Sequence, residues 1–160
     1  MATTTSRRRG RAGQLPSDGR SLRLRLAHLD QDQADLDRAR DLLRQGSEAA
    51  ADDPREAFEL VHRAALRGAG ILVARANRDR RRRLPLNVWT ALEKLGGAEA
   101  ERASALPPLV AERARLDRDS SARPDPQLLG EHLRETGEHL DEVSRRLLAD
   151  LPDHVTSLAG

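Results

Sequence analysis

The stretch Asp53–Leu92, DPREAFELVHRAALRGAGILVARANRDRRRRLPLNVWTAL, decides the fold. It opens on Asp53-Pro54-Arg55-Glu56. An Asp at the N-cap accepts from free backbone N–H groups, Pro suits the first helical position, and Glu two residues on closes the cap. Phe58, Val61, Ala65, Gly68 and Leu72 then recur at intervals of three and four, and Leu60, Ala64 and Ile71 widen the apolar stripe. That period predicts a central helix running to about Ala76. Gly68 and Gly70 weaken helix propensity and are expected to let a neighbouring helix come close. The run Arg78-Asp79-Arg80-Arg81-Arg82-Arg83 follows, and Asn87 is placed to cap a second helix through Trp89 and Leu92 to Lys94, ended by Gly96-Gly97.

The same signals extend outward. Leu22, Leu26, Leu29, Leu36 and Leu43 keep mostly helical spacing, which predicts a first helix, firm from about Asp30. Ala98 to Ala105 is helical in composition, Pro107-Pro108 breaks it, and Leu109 to Leu116 resumes. Asp125-Pro126 repeats the cap-then-proline start, with Leu129, Leu133, Leu140, Val143 and Leu147 as the inward positions of a last helix. The fold class expected is all-α, a four- to five-helix up-and-down bundle over residues 21–151. A disordered basic tail is expected at 1–20 and a short C-terminal tail at 152–160.

Composition supports this class and narrows function. Among 160 residues the only aromatics are Phe58 and Trp89, so packing rests on Leu, Ala and Val, which favours helix contacts over a sheet. There is no cysteine, hence no disulfide, no thiolate chemistry and no cysteine zinc site. No apolar run approaches the roughly 20 residues of a membrane span, and no apolar segment follows the first arginines as in a secretory leader. A cytoplasmic protein with no membrane partner is expected. No phosphate-binding glycine loop, zinc helix or serine nucleophile motif occurs, so no cofactor and no metal are expected. His132 and His139 stand seven apart on one helix face, about 10 Å, too far to share one ion unaided.

Charge placement says more than its total. The net charge is +2, yet residues 1–25 alone carry +6, leaving −4 for residues 26–160. The basic character sits in the N-terminal arm and in the Arg78–Arg83 run. One or two arginines at a helix C-terminus serve its free carbonyls; the others are available to phosphates. Arg78, Arg80, Arg81, Arg82 and Arg83 are therefore the candidate nucleic-acid contacts. With no aromatic residue among them to stack on bases, such contact would follow the backbone and be largely blind to sequence.

Two Arg–His pairs are candidates for metal-free RNA cleavage: Arg55 with His62, and Arg134 with His139. A histidine can take the 2′-hydroxyl proton and an arginine can stabilise the phosphorane. Against that stands the bland reading. Arginine fills about one position in six, and three Arg-x(4–6)-His spacings occur, Arg23/His28 included, about as many as chance supplies. Glu56 and Glu135 directly follow the two candidate arginines and would repel phosphate.

Phe58-x-x-x-His62-x-Ala64-Ala65-Leu66-Arg67, the Ala/Val-rich run to Ala76, the arginine linker and Asn87-Val88-Trp89-x-x-Leu92 together resemble the HEPN superfamily, in its small actinobacterial branch. The resemblance extends more weakly over roughly Asp30 to Leu148. It implies a bundle that dimerises, either a metal-independent RNase of toxin or stress type or an inactive RNA-binding module. It places the usual motif on the last helix, at Arg134/His139. The alternative is a non-catalytic helical adaptor that forms dimers or docks a protein partner.

Overall fold

The computed structural model describes residues 15–151, and six α-helices make up its regular structure: α1 Leu15–Ala49, α2 Pro54–Arg78, α3 Val88–Leu95, α4 Gly97–Ser104, α5 Pro107–Arg118 and α6 Pro126–Ala149. There is no strand among the described residues. Each expected start is built as the residue types require. Asp53 Oδ1 accepts from the Glu56 N–H, Asn87 Oδ1 from Thr90 N–H, and Asp125 from the N–H groups of Gln127 and Leu128. Each satisfies donors that a helix N-terminus leaves without partners.

The long helices alternate in direction. Asp32 meets Arg78 while Gly46 lies against Ala57, so α1 and α2 are antiparallel. Glu59 pairs with Arg113 and Arg55 reaches Leu116, so α5 opposes α2. Phe58 lies near His132 and Gly68 near Leu140, so α6 runs alongside α2. The result is an up-and-down arrangement of α1, α2, α5 and α6, with the short α3 and α4 inserted before α5. The short helix expected before Gly96-Gly97 is therefore α3, and the helix expected to break at Pro107-Pro108 is α4 and α5. Gly96 and Gly97 both take positive φ, 73° and 55°, which makes the sharp turn between α3 and α4 at no Cβ cost.

Two connected clusters form the core. Leu36, Ala69, Leu92, Leu140, Val143 and Leu147 centre one; Phe58, Val61, Leu106, Leu109 and Leu129 centre the other. Half-buried Trp89 packs against both, which joins them. With so little aromatic volume, close approach of helix backbones replaces bulk.

Two expectations change. The first helix begins at Leu15, so the boundary placed at residue 20 falls inside it; Pro16 is tolerated because a first turn has free N–H groups anyway. The rest of the expected N-terminal tail, and the C-terminal one at 152–160, lie outside the described residues. Of the two glycines in α2, only Gly68 serves an approach. A Cβ there would stand 2.6 Å from Leu140 Cδ2, whereas nothing lies within 4 Å of one at Gly70. Gly46 in α1 is a second close approach: a Cβ there would stand 3.3 Å from the Ala57 carbonyl oxygen.

These spaces carry opposite expectations. Gly70→Ala is expected to stabilise the fold by roughly 0.5–1 kcal/mol, the helix-propensity gain alone. Gly68→Ala is expected to destabilise by about 1 kcal/mol, because buried Leu140 must leave its place and overpacking outweighs the same gain. Urea midpoints of the two variants measure this, and equal shifts in one direction would contradict it.

Candidate functional site

The arginine run is a pinned loop. At the end of α2, Asn77 Oδ1 accepts the Leu84 N–H at 2.8 Å, and the Asn77 carbonyl accepts the Arg80 N–H at 3.3 Å. Leu84 is buried in the core, and Asn87 opens α3 just beyond. Both ends are thus tied down, and Arg80, Arg81, Arg82 and Arg83 project between them, all exposed. None of the four makes an ion pair with a carboxylate among the described residues. Leu86, at the loop's far side, is fully exposed. Asn77 escaped the sequence reading. Its signal was an asparagine in the last turn of a helix, where a side-chain carbonyl can fold the following chain back.

Arg78, read with this group, does not belong to it. Its guanidinium donates to both carboxylate oxygens of Asp32, at 2.7 and 2.8 Å. Arg75 stands 3.8 Å from the same carboxylate and also pairs with Asp150. Asp32, at 4% side-chain exposure, therefore gathers α1 and α2 while Arg75 adds the end of α6. Arg78 is held as a structural cation, as the helix C-terminus favours.

The Arg–His pairs are not assembled. Arg55 donates to three backbone carbonyls, Asp119 at 2.9 Å, Ala122 at 2.8 Å and Leu116 at 3.0 Å. It closes the C-terminus of α5 and the loop beyond, seven residues from His62, or about 10 Å along α2. His62 is buried, with its ring edge-on to Trp89 and to His132 at 6.3 Å. Burial, then the nearby Arg113 charge, lower its pKa. On α6, Arg134 is exposed and turned to Glu138 at 3.1 Å, with Glu135 at 3.6 Å.

His139 instead shares a cavity of about 330 Å³ with Arg102 of α4. The Arg102 side chain is only 9% exposed and lies 3.6 Å from Glu135. It donates to Thr136 Oγ1 at 3.3 Å, and Thr136 in turn bonds His132 Nδ1 at 3.2 Å. Burial and then the Arg102 charge push His139 down to about 4 and His132 to about 3. Both rings are therefore neutral at pH 7. His62 Nδ1, His132 Nε2, His139 Nδ1 and Arg102 Nε are buried without a hydrogen-bond partner. Such nitrogens are satisfied in proteins by internal water. Arg102 was missed because it has no histidine at helical spacing; only packing of α4 on α6 brings it to His139.

Among the described residues no group of three His, Cys, Asp or Glu side chains is placed to hold a metal ion. No described helix is long and apolar enough to cross a membrane.

A family model described as SAV_6107-like HEPN matches residues 48–144. No curated protein and no solved structure matches the chain. The matched span takes in α2 through most of α6, and so the arginine loop, the Arg102 cavity and both histidine sites.

Proposed function

The chain belongs to the SAV_6107-like HEPN family, and from that premise we propose that it is an RNA-contacting helical module that holds the phosphate backbone on its arginine loop. One observation carries the reading. Arg80–Arg83 are exposed, held on a pinned loop and without carboxylate partners, whereas Arg78, Arg113, Arg134 and Arg146 nearby or elsewhere are engaged by acids. Four adjacent free guanidiniums repel one another, and a polyanion relieves that repulsion while releasing counterions. The cytoplasm, where the chain is expected to reside, supplies such RNA.

Binding rather than cleavage is the activity supported. Arg55 is committed to carbonyls, Arg134 is neutralised by glutamates, and His62 is enclosed in the core. A general base must reach the proton it abstracts, and the His62 ring, 4% exposed, does not. In EDTA, the purified protein is expected to retain labelled total RNA without shortening it. Replacing all four of Arg80–Arg83 with Gln is expected to lower retention at least tenfold at low salt. Shortened RNA, abolished by His139→Ala, would restore the metal-independent RNase reading, with Arg102 as the partner arginine.

Leu86 favours a second reading, a non-catalytic adaptor for a protein partner or a second copy, because a fully exposed leucine beside four arginines suits an acidic surface with an apolar recess. Retention of no RNA at low salt would put that reading first.

A further inference from the structure

Because α1 runs antiparallel to α2, its start lies at the same end of the bundle as the arginine loop. Asp32 marks the level of Arg75 and Arg78. Seven residues toward the start of α1 is Arg25, about 10 Å farther along the axis, and Arg20 lies about 18 Å beyond Asp32. Arg25 lines one cleft with Arg78 and Asp79, the residue from which the loop departs. Arg20, Arg23 and Arg25 are exposed, and none forms an ion pair with a carboxylate among the described residues. The opposite end of the bundle, at the α1–α2 turn and the close of α5, is mixed in charge, with Arg115, Arg118 and Arg123 beside Asp117 and Asp119.

We propose that Arg20, Arg23 and Arg25, which point to different sides of the first turns of α1, extend the RNA surface from the Arg80–Arg83 loop onto that helix, with Arg25 in the cleft it shares with Arg78 and Asp79. The inference rests on the RNA reading above and adds the start of α1 to it. The backbone is what is held, because neither the start of α1 nor the loop offers an aromatic residue for base stacking.

The test is binding of a labelled single-stranded RNA to the full chain across a salt series. Three variants are compared with the parent: Arg20/Arg23/Arg25→Gln, Arg80/Arg81/Arg82/Arg83→Gln, and Arg67/Arg123→Gln as the control. Arg67 and Arg123 are also exposed and free of ion pairs among the described residues, but lie on mid-α2 and in the α5–α6 loop. All these positions are exposed, and helical circular dichroism verifies that each variant stays folded. Three lost phosphate contacts should flatten the slope of log K against log salt by about 2. The α1 variant is expected to show that change and a roughly tenfold weaker affinity at low salt, while the control matches the parent. A parental slope in the α1 variant, beside a flattened one in the loop variant, would overturn this inference and leave the RNA reading standing. A control that loses as much per arginine would overturn it too, showing diffuse charge attraction. No salt-dependent binding by the parent would overturn both.

Discussion

Arg78→Met is expected to cost the fold about 3–5 kcal/mol, more than Asp32→Asn at the other end of the same pair. The two partners differ in what each can do when left alone. Asp32 is 4% exposed, so without Arg78 its carboxylate stays out of water with only Arg75, 3.8 Å away, for compensation. Arg78 is 26% exposed, and its long side chain can swing its charge into solvent once Asp32 is neutral. Removing one member of a buried pair is costly chiefly through the charge left behind, and here the charge that cannot escape is the carboxylate. Replacing both, as Asp32→Leu with Arg78→Met, is expected to recover much of the loss, because no buried charge then remains. Urea midpoints of the two single variants and the double give the answer. A double variant as unstable as the sum of the singles would show that the residues stabilise separately and not as a pair. Arg78→Met should also loosen the Arg80–Arg83 loop, since the anchored last turn of α2 carries it.

Acidification is expected to weaken the protein well above the range where carboxylates protonate. His132 has no exposed surface, and burial with the Arg102 charge holds its pKa at about 3, against about 6.5 in the unfolded chain. A native pKa below the unfolded one means the unfolded chain binds the extra proton between those values. The stability from keeping the ring neutral is therefore complete above about pH 6.5 and is lost as pH falls toward 3. At pH 5 that loss is about 2 kcal/mol for His132 alone. His139, lowered to about 4, and His62, lowered by burial, act in the same direction. Glu59, held low by its bond to Arg113, and Asp119, held low by Ser121, add their own losses only at more acid pH. Stability measured by urea at pH 7, 6 and 5 should fall steadily. His132→Leu, which also removes the Thr136 partner, should be less stable at pH 7 yet show a shallower decline. A decline as steep as the parent's would mean that the ring is not held neutral in the fold.

The candidate site divides along the same line as these predictions. Arg80–Arg83 were legible as free cations because four arginines in sequence exceed what one helix end can use. Arg78, adjacent in sequence and identical in type, was not separable from them. Its partner Asp32 lies 46 residues away, and no local pattern links the two. The Arg–His spacings failed for the same reason. A helical interval says which residues share a face of one helix, but not what the neighbouring helices present to that face. Arg55 found the carbonyls of α5, Arg134 found glutamates on its own helix, and Arg102 arrived at His139 from α4.

The sequence by itself determined the all-α class, the helix starts at Asp53, Asn87 and Asp125, the break between α4 and α5, and the family over residues 48–144. Each of these follows from interactions within a few residues: a side chain capping nearby N–H groups, a proline without a donor, apolar residues one turn apart. The tertiary structure decided which glycine serves a contact, which arginines are free, and which histidines are kept neutral. Those outcomes depend on desolvation and on charges brought together from distant parts of the chain, and both are set only when α1, α2, α4, α5 and α6 pack.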